Sequence, residues 1–285
     1  LYLSALEIWR SATFFASIEY AKCAGNLAIL YVEKQEFDRA EELMVEVKNI
    51  FLKLKGENSA LYGQGIFSLG NLYFVRGDYL DAEAQYLKVA EIWEKALGKN
   101  HENYSAIIIQ LGNLYQELGR YEVSLKYLIL ADSLLAMNGV ENPYYVFNKM
   151  NQSVIYLTLG QYQKAEKLSL ENCNLFKNAF GVSNVNYLGS LINLGNFYHC
   201  IGDIERGRKQ FVEAKNIFEQ VLKDTLNDFY INCINNLSIL CIRNGEYLEA
   251  ESLIRQILLI KRNLGLENHV SYAAFEANLA EVLMK

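Results

Sequence analysis

A single proline, Pro143, stands in a chain of 285 residues. That scarcity removes the usual interruption of helices, since a prolyl ring fixes φ and lacks the N–H that a helix interior needs. No apolar run approaches the roughly 20 residues that cross a bilayer. No secretory leader is evident either, because the opening Leu1-Tyr2-Leu3-Ser4-Ala5 runs on into charged sequence. The five cysteines (Cys23, Cys173, Cys200, Cys233, Cys241) are odd in number and form no Cys-x-x-Cys pair. This argues against a disulfide framework or a zinc site and for reduced thiols in a cytoplasmic protein. Excess basic charge is missing: 27 Lys and Arg face 33 Asp and Glu, a net charge of −6, so the field that draws nucleic acid is not expected. Histidines number three, and two read as helix-start residues, His101 and His269. The third, His199, adjoins Cys200; neighbours on a helix point about 100° apart, so the two cannot pair as base and nucleophile. No catalytic residue, cofactor or metal ligand is expected. What is present is a composition 52% hydrophobic and 21% charged, that of a folded domain rather than a disordered one.

The dominant signal is self-similarity. Leu69-Gly70-Asn71-Leu72-Tyr73, Leu111-Gly112-Asn113-Leu114-Tyr115 and Leu194-Gly195-Asn196-Phe197-Tyr198 are copies of one segment. Each is followed by a turn: Gly77-Asp78-Tyr79, Gly119-Arg120-Tyr121 and Gly202-Asp203-Ile204. In register, a small residue recurs as Ala28, Gly70, Gly112, Ser153, Gly195, Ser238 and Ala280, at steps of 42, 42, 41, 42, 43 and 42 residues. A second small residue follows twelve positions after each of the first six: Ala40, Ala82, Ser124, Ala165, Gly207 and Ala250. Glycine in mid-helix costs roughly 1 kcal/mol against alanine, so its recurrence implies two helices that must approach closely. The turn glycine takes the left-handed position that ends the first helix. Between repeats, Leu97-Gly98, Phe180-Gly181 and Leu264-Gly265 mark plain turns, and Asn142 before Pro143 reads as an N-cap followed by proline in the first turn. First helices are predicted over about 14–33, 58–76, 101–118, 143–159, 184–201, 227–244 and 268–285, and second helices over about 37–55, 79–97, 121–137, 162–179, 204–223 and 247–264. Tyr2-Leu3 to Ile8-Trp9 matches Tyr86-Leu87 to Ile92-Trp93 two periods on. The array is therefore expected to begin inside a second helix and end inside a first one, as a single array over 1–285 of about six repeats with partial repeats at both ends, cut from a longer protein.

Leu-Gly-x-x-Tyr followed by Ala-x-x-x-Tyr, clearest in Leu69, Gly70, Tyr73, Ala82 and Tyr86, resembles the tetratricopeptide repeat. The longer period is similar to the kinesin-light-chain variety, whose Leu-Gly-x-x-His-Pro linker and Asn-Asn-Leu segment leave traces in Gly98 to His101, Asn142-Pro143 and Asn235-Asn236-Leu237. The resemblance implies an all-α, right-handed solenoid of antiparallel helix pairs that holds a peptide or protein in a concave groove lined by first helices. It also implies an alternative, in which the array is the sensor arm of a larger signalling enzyme, such as a caspase-like CHAT peptidase or a signalling ATPase.

Two positions before the small residue lies about 200° around the helix, on its far side. Those residues are Asn26, Ser68, Gln110, Asn151, Asn193, Asn236 and Asn278, all polar, and Asn71, Asn113 and Asn196, one position after the small residue, lie beside them. An amide offers donors and an acceptor that suit the N–H and C=O of an extended chain. The stripe is the candidate peptide-binding groove; a solvated face, or amides bonding between repeats, is the alternative. Lys22 and Arg243 are placed to reach it, and Phe67, Phe74 and Phe147 are candidate groove aromatics. Trp9, Phe51, Trp93, Phe176 and Phe218 recur near second-helix ends and are assigned to the core; Glu41, Glu42, Glu83 and Glu251 are assigned to solvated faces.

Overall fold

The structure, a computed structural model, describes residues 2–11, 17–136 and 143–285. Among these there are fourteen helices and no strand. A short α1 (Tyr2–Ser11) precedes the pairs. The first helices are α2 (Ile18–Glu33), α4 (Ala60–Arg76), α6 (Glu102–Glu117), α8 (Pro143–Thr158), α10 (Val185–Cys200), α12 (Asp228–Arg243) and α14 (Val270–Leu283). The second helices are α3 (Phe37–Lys55), α5 (Tyr79–Leu97), α7 (Tyr121–Ala136), α9 (Tyr162–Phe180), α11 (Ile204–Asn216, continued by π turns over Ile217–Leu222) and α13 (Tyr247–Asn263). The chain forms two compact units, Leu1–Asn148 and Lys149–Lys285. Each is a stack of helix pairs of the expected all-α solenoid type.

The helix boundaries follow from local chemistry. Ser17, Ser59, His101, Asn184, Asn227 and His269 occupy one register position, in extended backbone. Each accepts a first-turn N–H through its side chain, satisfying a donor the helix cannot. The equivalent Asn142 lies outside the described residues. Gly77, Gly119, Gly160, Gly202 and Gly245, which end first helices, all have φ between 69° and 91°. Gly98 is more than a plain turn: at φ 84°, ψ 161° it occupies a region that is essentially glycine-only.

Packing inside each pair is a matter of matched sizes. A Cβ added to Gly70, Gly112 or Gly195 would stand 2.7, 2.5 or 2.6 Å from Tyr86, Leu128 or Phe211, all large residues sixteen positions on. Where the small residue is Ser153, the facing residue is Ser169, and the two hydroxyls bond at 3.1 Å. The second small residue is buried in all six repeats, and the Ser124 hydroxyl donates to the Gly112 carbonyl at 2.6 Å. Ala280 departs from the rule and is exposed. The aromatics assigned to the core are there: Phe51, Trp93, Phe176 and Phe218 are all buried, and the partly buried Trp9 packs against the core around Leu6, Tyr20 and Phe51.

A second series of tyrosines gives each repeat a polar tie. Tyr20, Tyr62, Tyr104, Tyr145, Tyr187, Tyr230 and Tyr272 stand eight residues before the small residue in all seven first helices. Six of them are buried, and their hydroxyls reach polar atoms at the rim: Tyr20 donates to Glu46 at 2.7 Å and Tyr187 to Glu213 at 3.0 Å. Successive repeats are joined by another recurring bond. Tyr73 donates to Glu41 (2.8 Å), Tyr115 to Glu83 (2.6 Å) and Tyr198 to Glu166 (3.0 Å), with Arg76 and Arg206 on the same carboxylates. Glu41 and Glu83 are thus not merely solvated: they satisfy tyrosines of the next repeat, which a helical-wheel assignment cannot see. Hydrogen bonding from Tyr73 lowers the Glu41 pKa, while burial first, and then Glu41, raise Tyr73 to about 12. The 43-residue step from Gly195 to Ser238 coincides with the π turns of Ile217–Leu222, which take more residues per turn than an α-helix.

Candidate functional site

The polar stripe lies on the first helices, and its members differ in what they touch. In the first unit, Asn26 is exposed, whereas Ser68, Asn71, Gln110 and Asn113 are half-buried. The Ser68 hydroxyl donates to the Gln64 carbonyl of its own helix at 3.1 Å. Asn71 accepts from the buried Tyr86 hydroxyl at 2.7 Å, which commits its carbonyl to the second helix of its own repeat. Asn26 and Ser68 are brought together on either side of a crevice of about 350 Å³ between α2 and α4. Its floor is Val47 and Phe51 from α3, and Lys22, Gly25 and Gln64 complete the rim. A second crevice of about 440 Å³ lies two repeats on, among Ala106 and Ile109 of α6, Leu135 of α7 and Tyr144.

In the second unit, Asn151, Asn193, Asn196 and Asn236 are half-buried and Asn278 is exposed on α14. The Asn236 amide donates to the Asn196 carbonyl at 2.8 Å, joining α12 to α10, so these two amides bond between repeats. Asn193 Nδ2 lies 4.0 Å from the Met150 sulfur. One turn further along, an Arg243 nitrogen is 3.1 Å from His199 Nε2, which fixes that ring nitrogen as the acceptor. Burial first, and then the Arg243 charge, hold the His199 pKa below its ordinary value. His199 thus faces Arg243, while Cys200 beside it is exposed.

Of the groove aromatics, Phe67 turns inward: its ring lies 5.3 Å from Trp93 and 6.0 Å from Tyr86. Phe74 packs on Tyr79 at 5.7 Å, towards the turn, and Phe147 is exposed. One set of potential metal donors occurs among the described residues, Cys241, Glu246 and Glu249, with ligand atoms within 4.8 Å of one another. The Arg208 guanidinium pairs with both carboxylates, and burial pushes the Cys241 thiol up to about 12. The position a cation would need is held by arginine, and the thiol is held protonated, so the group reads as an ion-pair cluster.

Residues 60–131 match the family model described as tetratricopeptide repeat, a span running from the start of α4 into α7. No curated protein matches the chain. Among solved structures, BtubC (BKLC) from P. vanneervenii aligns with 81% of this chain and 92% of its own at 19% identity, TM-score 0.67. A putative kinesin light chain from Podosopora anserina with nearly identical repeats aligns with 71% of this chain and 95% of its own at 19% identity, TM-score 0.61. The signal transduction ATPase with a tetratricopeptide repeat sensor from Pyrococcus horikoshii aligns with 92% of this chain and 38% of its own at 18% identity, TM-score 0.64. At such identities the likeness is one of fold: the helix pairs stack as they do in tetratricopeptide repeat arrays. No helix among the described residues is long and apolar enough to cross a membrane.

Proposed function

We propose that this array of tetratricopeptide-type repeats is a non-catalytic cytoplasmic scaffold whose first helices hold an extended segment of another protein. Repeats of this type mediate protein–protein interaction in general; the finer reading concerns the surface used. The observation that carries it is the crevice between α2 and α4, where an apolar floor lies beneath the polar side chains of Asn26, Gln64 and Ser68. Apolar floors with a few placed polar groups are the usual build of a binding site, and amides along the rim suit a backbone.

The test begins with random nonapeptides displayed and selected on the full chain. Replacing Asn26 and Gln110 together by alanine is expected to leave melting intact and to weaken the selected peptides about tenfold, whatever their sequence, since each net hydrogen bond is worth roughly 0.5–1.5 kcal/mol. Asn71→Ala serves as a contrast and is expected to lower the melting temperature by stranding the Tyr86 hydroxyl. Affinities that ignore Asn26 and Gln110 would count against the backbone-holding role. A second reading, in which the array is the sensor arm of a larger signalling enzyme, is supported by its alignment with part of an ATPase that carries such a sensor. It predicts that the same surface transmits occupancy to an enzyme domain.

A further inference from the structure

Gly25 is unlike the closely packed glycines of the first helices. Cβ atoms added at Gly63, Gly65, Gly70, Gly112 and Gly195 would each meet a neighbour at 2.8 Å or less, so packing within the chain accounts for them. A Cβ added at Gly25 would meet nothing within 4 Å, and its backbone is ordinary helix. Neither close approach nor conformation requires glycine here, yet glycine weakens the helix.

What its side chain would do is displayed one repeat on. Phe67 stands 42 residues after Gly25, at the same register position, while Val89 and Trp93 stand 42 after Val47 and Phe51. Phe67 packs its ring against Trp93 with centroids 5.3 Å apart and planes 46° apart. The crevice over Phe51 lacks this ring and is open, about 350 Å³. The chain itself thus shows which group such a crevice accepts. We propose that the α2–α3–α4 crevice is an anchor pocket for one phenylalanine-sized side chain of an extended partner segment, and that Gly25 keeps it open. The partner's ring lies over Phe51 as Phe67 lies over Trp93, while its main chain runs past Asn26, Gln64 and Ser68. Burying a single aromatic anchor in a preformed pocket is the economical way to fix a peptide's position. The proposal rests on the scaffold reading above and adds the class of side chain recognised and the residue that selects it.

The experiment uses nonapeptides selected on the full chain, resynthesised and titrated by calorimetry. The selected peptides should share one Phe or a residue of similar size and apolarity, and its replacement by alanine should weaken binding tenfold or more. Gly25→Phe, which fills the pocket from within, should leave the melting temperature unchanged or raised and weaken the same peptides tenfold or more. Gly25→Ala should keep most of the affinity. Nuclear Overhauser contacts between the peptide ring and the Val47 methyls provide a readout on the unmutated chain. Peptides that ignore Gly25→Phe but weaken with Asn26→Ala and Gln110→Ala would overturn the pocket and leave the scaffold reading standing. Peptides insensitive to both sets, or a selection that yields none, would overturn both. Self-association that Gly25→Phe abolishes would assign the pocket to a second copy of the chain and overturn the proposal.

Discussion

The crevice over Phe51 and the packing over Trp93 occupy the same register positions; among the side chains that change between them, Gly25 against Phe67 is the one that leaves the first open, while Ala21, Ile29 and Phe51 give way to Gly63, Asn71 and Trp93. Over Trp93 the chain supplies Phe67 from its own first helix; over Phe51 it supplies Gly25 and leaves an opening. The comparison separates two uses of glycine that look identical in a sequence. Gly70 and Gly112 are small because the facing Tyr86 and Leu128 need the space, whereas Gly25 leaves its space unused within the chain. A repeat protein can thus leave space in one copy of a frame by placing glycine where the next copy carries a ring.

The contrast can be broken most severely at Gly112. Gly112→Leu drives a side chain into Leu128, whose Cδ2 would lie 2.5 Å from the new Cβ, and should cost roughly 3 kcal/mol or more, read as a lower denaturant midpoint with unchanged slope. Phe67→Gly makes the space over Trp93 resemble that over Phe51. Loss of a half-buried ring, together with mid-helix glycine, should cost roughly 2–4 kcal/mol, and the emptied crevice should gain weak affinity for the aromatic-bearing peptides. Asn172 sharpens the comparison from the second unit, because it occupies the floor position of Val47 and Val89. It is 1% exposed, and neither amide atom has a partner. Asn172→Val should raise stability by about 1–2 kcal/mol, the desolvation penalty of an unpaired buried amide; a loss on thermal melting would mean that the amide is satisfied. The smallest effect is expected at Gly25→Ala, a gain of about 0.5–1 kcal/mol. A destabilised Gly25→Ala variant would show that Gly25 is packed like the others and would remove the contrast.

The repeat was legible because its punctuation is rigid. Glycine at φ near +80° and a small residue at each helix crossing are demanded by local geometry, so the positions of the helix pairs could be read to within a few residues. The tyrosines beginning at Tyr20 recur just as regularly, but buried aromatics are expected in any helical core, and their meaning lies in hydroxyl partners on another helix. The polar stripe was legible as a face by angle alone. What each amide does depends on the residue opposite: Asn71 faces Tyr86, Asn196 faces Asn236, and Asn26 faces an opening. The crevice left only a faint signal, since position 25 reads Gly where 67, 109, 150 and 192 read Phe, Ile, Met and Ile, but 235 and 277 read Asn and Ala. A missing side chain shows only against a filled neighbour.

The bonds that tie successive repeats have a spectroscopic consequence. Tyr73, Tyr115 and Tyr198 donate to Glu41, Glu83 and Glu166, and burial, reinforced by those carboxylates, raises all three phenol pKa values, Tyr73 to about 12. A raised folded-state pKa contributes stability that is complete below the unfolded value near 10 and is lost as pH rises through the folded value. In an alkaline titration followed by ultraviolet absorbance, these phenolates should therefore emerge late, above pH 10, and together with the loss of helical ellipticity. The ultraviolet trace of the protein would then report the parting of its repeats, with no label added.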